Sequence, residues 1–258
     1  MVEVPMRTLY RILPSLLVLG CGPKEAPAPA VSVAVLQAPA VAANATAQTT
    51  SVSHYTAMHA LLGRVDKARE AVVAGRLDQT IVHLKALSVV PSPYGLPEGA
   101  EVWMDRIREA AHDGTQTDRS VEMGEAIANI LTQCGGCHDA HDGGPRLTSL
   151  EPTPPDDMNR HAWADKRFFE GLVTPSSLRW EQGAAALIFA GEADPVFLAG
   201  LTAEESEAAN ILHERVHSIG NAAITTQNQG HRVAVYGAFL AACAECHTIT
   251  GGGPEKAR

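Results

Sequence analysis

Cys243-Ala244-Glu245-Cys246-His247 is the stretch around which the rest of the sequence is organised. Two cysteines three apart lie on neighbouring turns of one helix face, and a histidine four residues after the first comes round to the same face. This C-x-x-C-H form can hold two thioethers to the vinyl groups of a haem and bring an imidazole nitrogen to its iron. The same form occurs earlier as Cys134-Gly135-Gly136-Cys137-His138. One copy is a moderate signal. Two copies in matching contexts predict two covalently bound c-type haems, attached at Cys134, Cys137, Cys243 and Cys246, with His138 and His247 on the irons.

Outward from the motifs, the two contexts match. The apolar stripe Ile127, Leu131 runs into Cys134 and His138, and Tyr236, Leu240 run into Cys243 and His247; Cys243 and His247 stand 109 positions after Cys134 and His138. Each motif is followed by four residues and a Gly-Gly-Pro, at Gly143-Gly144-Pro145 and Gly252-Gly253-Pro254. Met58 and Glu70 match Met158 and Glu170 at a shift of 100. The pattern is a tandem duplication of about 100 residues, with its boundary in the proline-bearing stretch 146–157.

From Ser53 onward the periodicity is helical, with no alternating strand pattern. In the first repeat, helix 1 carries Met58, Leu61, Leu62, Val65 and Val72; helix 2 carries Leu77, Ile81, Leu84 and Ser88 and stops before Pro91. Helix 3 presents Trp103, Ile107 and Ala111, and helix 4 starts near Asp118. In the second repeat, helix 1 has Met158, His161, Phe168 and Leu172, and helix 2 is expected to open with Thr174 as cap and Pro175 at its first position. Helix 3 opens with the capping box Thr202-Ala203-Glu204-Glu205 and carries Ile211, Leu212, Val216 and Ile219. The expected fold is all-α: two tandem antiparallel four-helix bundles over 54–150 and 151–258, each with a haem motif ending its last helix.

Residues 1–20 read as an export signal, with Arg7 and Arg11 as its positive region and an apolar run, Leu9 to Leu19, too short to span a bilayer. Val18-Leu19-Gly20-Cys21 resembles a bacterial lipoprotein cleavage box, which makes Cys21 the lipidation site and attaches the protein to a membrane by its anchor. Residues 21–53, rich in Ala, Pro, Val, Thr and Ser, read as a flexible tether that as coil spans roughly 30 Å. The mature chain is then an exported bacterial protein of the periplasm, where c-type haem is attached.

The totals agree. A chain of 258 residues with 45% hydrophobic content can bury a core, and a net charge of −9 argues against a nucleic-acid footprint. Four of the five cysteines belong to the motifs and the fifth is Cys21, so no thiol is left over.

A haem motif at the end of its unit forces any sixth iron ligand to come from upstream. In this the chain resembles the class II c-type cytochromes, the cytochrome c-prime family and its low-spin relatives, over roughly 54–145 and 157–254. The resemblance implies antiparallel four-helix bundles with Cys-x-x-Cys-His on the last helix. In the low-spin relatives a methionine of helix 1 is the sixth ligand, which maps onto Met58 and Met158. In high-spin members an apolar residue stands there and the site stays open to small gases. The chain departs from the pattern at His161, one turn after Met158, where the first repeat has Leu61. The second haem therefore lies between Met158 and His161.

Other patterns point to other chemistry. His213-Glu214-Arg215-Val216-His217 fits the H-E-x-x-H zinc pattern, but Ala223 stands where an extended motif needs a third histidine. Solvated or rim histidines are the expected reading. A zinc shared by the two cysteine pairs leaves both trailing histidines unexplained, and a redox Cys-x-x-Cys needs a preceding strand. His54, His59, His83, His112, His141 and His231 read as surface or lightly packed residues, with His54 and His59 close enough to Met58 to serve as reserve ligands. The expected function is one-electron transfer between redox protein partners, by a carrier more than an enzyme. The alternative is a haem-based gas-binding protein or haem oxidoreductase with an open distal site.

Overall fold

The computed structural model describes residues 41–147, 152–188, 198–226 and 228–252, with side chains from Tyr55 onward. The signal, Cys21, the first part of the tether, Gly253, Pro254 and the His54 side chain lie outside the described residues. The described residues form eight helices and no strand. The protein is all-α. The first half contributes α1 (Val41–Val73), α2 (Leu77–Ser88), α3 (Glu101–Gly114) and α4 (Ser120–Ala140). The second contributes α5 (Asp157–Val173), α6 (Ser177–Ile188), α7 (Ala203–Thr225) and α8 (Gln229–Thr250).

Two helix starts differ from the sequence expectation. Helix α1 begins at Val41, so the later part of the expected tether is helical. The stretch 41–53 has no proline or glycine and holds four alanines, and low charge alone does not prevent a helix. Thr174-Pro175 does not open the second helix of its repeat. It closes α5 instead: Thr174 N–H bonds to Glu170 O and Ser176 N–H to Gly171 O. Ser176 then caps α6, its Oγ accepting from Arg179 N–H at 3.3 Å. The capping box of α7 forms as read, with Thr202 and Glu205 bonding each other's backbone amides.

The end of α1 follows the Schellman pattern, in which a left-handed residue turns the chain back over the last carbonyls. Gly75, at φ +71°, fills that position, with Gly75 N–H bonded to Val72 O and Arg76 N–H to Ala71 O. These turns at the ends of α1 and α5 leave the carbonyls of Val73 and Val173 without an amide of their own helix.

In the first half, α1 packs on α2 and α4, and α3 on both α2 and α4. In the second, α6 packs on α5 and α7, α8 packs on α7, and a lighter contact joins α5 to α8. The most extensive contact of all joins α4 to α8, and α4–α5 and α1–α8 contacts flank it. Contacts gather Val41–Arg258 into one compact unit, and a single core holds Val65, Leu84, Ile127 and Leu131 together with Phe168, Trp180, Tyr236 and Phe239. The stretch 146–157 thus separates two sequence repeats while the core runs across both.

Helix α8 is long and apolar enough to match a membrane span by length and composition. Tyr236, Phe239, Leu240, Ala241 and Ala242 on this helix are fully covered. The α4–α8 crossing is close. A Cβ on Gly124 would lie 2.7 Å from Gly237 O, and one on Gly237 would lie 2.7 Å from Glu125 N. Ser120, starting α4, shares a groove with Ala244 to Ile249, ending α8, so the two helices run antiparallel.

Candidate functional site

Each C-x-x-C-H motif occupies the last turns of its helix, α4 or α8, in line with a buried stripe. Ile127 and Leu131 are fully covered before Cys134, as are Tyr236 and Leu240 before Cys243, and both cysteines pack on the core. The two motifs lie at opposite ends of the antiparallel pair. From the glycine crossing, sixteen residues of helix separate Cys134 from Cys243, about 24 Å at 1.5 Å per residue. The cysteine pairs therefore cannot share one ion.

The motif histidines are held by the carbonyls that the helix ends leave over. His138 Nδ1–H donates to Val173 O at 2.8 Å, and His247 Nδ1–H donates to Val73 O at 2.6 Å. Both bonds cross between halves, each histidine taking the matching carbonyl of the other repeat. A cationic or hydrogen-donating histidine is also favoured at a helix C-terminus. Donation from Nδ1 fixes the tautomer and leaves the Nε2 lone pair for a metal, the outer-shell arrangement usual for ligating histidines.

Small residues make these approaches possible, on alternate sides. In the first motif Gly135 lies against α5, where a Cβ would collide with Leu172 O and stand 3.0 Å from Pro175 Cδ. At the second motif the glycine is on the turn: a Cβ on Gly75 would meet Thr248 Oγ1 at 2.5 Å and Ala244 O at 3.1 Å. Gly144, at φ +93°, closes over the first imidazole, and a Cβ there would lie 2.6 Å from His138 Cγ.

Burial pushes the Cys134 thiol up to about 12, and burial together with the Asp165 carboxylate holds Cys243 well above the usual thiol range. Burial raises Cys137 and Cys246 as well. Burial of this kind favours the neutral thiol over the thiolate.

Beside Cys243 lies a buried polar group drawn from three helices. Asp165 on α5 pairs with Arg69 on α1 and accepts from Tyr236 Oη on α8 at 2.6 Å. Arg69 also bonds Asp66 at 2.6 Å and lies 5.4 Å from the Phe169 ring centre. Burial and the carboxylate push the Tyr236 phenol up.

The upstream residues fall into different surroundings. Met58 packs against the core on α1. Met158 is 41% exposed in the first turn of α5. His161, expected to face the same way as Met158, turns inward instead, toward His213 and His217 of α7 (ring centres 5.6 and 6.3 Å away). The H-E-x-x-H histidines are not solvated rim residues. His213 is 10% exposed and bonds Asp157 Oδ2 through Nε2 at 2.7 Å; His217 Nδ1–H donates to Leu187 O at 2.5 Å. The pairs Asp157/His161 and His213/His217, each four apart, come from two helices packed through α6, and only that juxtaposition reveals the group. Ile211, read as a core position, is 57% exposed and lines the groove with Leu77, Leu212 and Ile249. That groove lies on the face of α8 opposite the cysteines.

Compared with protein-family models, with curated proteins and with solved structures, the chain finds no match.

Proposed function

We propose that the protein is an extracytoplasmic dihaem c-type cytochrome that carries single electrons between redox protein partners. The observation that supports it is the pair of C-x-x-C-H motifs whose histidines each give Nδ1–H to a helix-end carbonyl and keep Nε2 free. In this reading Cys134, Cys137, Cys243 and Cys246 carry the thioethers, and His138 and His247 supply the proximal nitrogens. Bound haem supplies a one-electron ferrous–ferric couple. The chain supplies fixed imidazole orientation, a buried attachment face and, at the second site, the Arg69–Asp165–Tyr236 group close to Cys243.

The helix contacts favour two four-helix bundles, α1–α4 and α5–α8, fused through α4 and α8, with closure of the second bundle resting on the light α5–α8 contact. Among sixth-ligand candidates Met58 is the best placed, on α1 against the core. Met158 is largely solvated, and His161 is engaged with Asp157, His213 and His217. The signal and Cys21 support export to the periplasm and a lipid anchor; Cys21→Ser should then release the protein from membranes or leave it unprocessed.

Absorption spectra of the oxidised and reduced protein, with and without carbon monoxide, test the reading. Low-spin spectra at one or both haems and a reversible one-electron titration support a carrier. High-spin spectra at both haems with ready carbon monoxide binding would move a gas-binding or catalytic role to first place.

A further inference from the structure

Asp157 and His161 stand one turn apart at the start of α5, and His213 and His217 stand one turn apart near the middle of α7. Their ligand atoms all lie within 4.8 Å of one another. His213 Nε2 is 2.7 Å from Asp157 Oδ2 and 3.4 Å from His217 Nε2, while His161 Nε2 is 3.7 Å from Asp157 Oδ1. Four donors around a tetrahedral zinc, at about 2.0–2.1 Å from the ion, lie about 3.4 Å from each other. The group is already close to that spacing.

Three further observations point to a ligand. His161 Nε2 is buried and has no hydrogen-bond partner among the described residues, an arrangement that folding normally avoids. His217 gives its Nδ1–H to Leu187 O, which turns Nε2 toward the other three side chains, as outer-shell carbonyls do for metal-bound histidines. The first repeat supplies an internal comparison. At the matching register it carries Ala57, Leu61, Met104 and Arg108, and Leu61 and Met104 there are buried core. Two of the four positions are thus apolar core in the first repeat, where the second carries His161 and His213.

We propose that Asp157, His161, His213 and His217 form a binding site for one divalent transition ion of the zinc type, which fastens the start of α5 to α7. Three imidazoles and a carboxylate suit a borderline cation. Four protein donors close the coordination sphere, so the ion is structural. Glu214, the residue that would act as base in a hydrolytic H-E-x-x-H site, is exposed. Arg160 Nη2 lies 3.5 Å from Asp157 Oδ1 and competes for that oxygen, while Oδ2 is the oxygen that faces His213.

The test uses the full-length, haem-loaded protein. It is dialysed against Zn2+ and then metal-free buffer, zinc and iron are counted by elemental mass spectrometry, and Tm is measured with and without chelator. One zinc per chain in addition to haem iron is expected, with a chelator-sensitive Tm. His213→Ala and Asp157→Asn should each reduce zinc to background and abolish the Tm response while leaving haem content unchanged. Zinc at background in the wild type, or equal zinc in a His161→Ala/His213→Ala double variant, overturns the proposal. So does a His161→Ala variant that keeps its zinc but converts one haem to high spin. Iron and zinc are counted separately, so failure of the haem reading leaves this result interpretable.

Discussion

The carbonyls of Val73 and Val173 end their helices without an amide to accept, and the imidazoles of His247 and His138 fill that need. Each histidine is therefore positioned by the other repeat's backbone, and substitutions that crowd the imidazole should be felt in the spectrum as well as in stability. Gly144→Ala meets both a left-handed backbone and the His138 ring, and is expected to cost about 1–3 kcal/mol by urea unfolding while perturbing one haem's spectrum only. An unchanged spectrum would show that the loop does not hold that ring. Asp165→Asn breaks a buried ion pair and leaves Asp66 as the carboxylate paired with Arg69 among the described residues, so a loss of about 3 kcal/mol is expected. Tyr236→Phe removes a single bond to the same carboxylate and should cost less, about 2 kcal/mol. At this scale the cysteines and histidines of the motifs were legible from spacing. The carbonyls that hold the histidines were not, because they belong to the other half of the chain.

Among the elements, the antiparallel crossing of α4 and α8 decides how the halves meet. Backbone approaches backbone at Gly124 and Gly237, where no side-chain rotamer can make room. Gly237→Ala should force the helices apart at a cost of about 1–3 kcal/mol, read as a lowered urea midpoint. A neutral result would mean that the crossing tolerates a methyl group. Helix bodies and the capping box of α7 were readable because stripes and caps are local signals. Two boundaries were misread for the same physical reason, a local rule losing to its neighbourhood. The stretch after Val41 has a linker's composition but no helix breaker, and Thr174-Pro175 mimics a helix start while Ser176 N–H closes the previous helix. The grouping of His161 with His213 and His217 also belongs to this scale, since two ordinary i, i+4 pairs acquire meaning only when α5 and α7 are brought together.

For the molecule as a whole, the proposed function places two haems at similar helix ends in unlike surroundings, so the two are expected to differ. Met58 lies against the core, whereas Met158 is largely solvated. Met58→Ala is expected to remove half or less of the low-spin signal and leave the second haem unchanged; loss of the whole signal would show that the two sites are coupled. The repeat and its helix order were readable from the 109-residue shift between motifs, but the continuity of one core across both halves was not. The account rests above all on both motifs being used for attachment. Intact mass of the mature protein, purified from a host with haem-attachment machinery, tests this most directly. Two covalent haems per chain is the predicted result, and a mass showing one or none contradicts it.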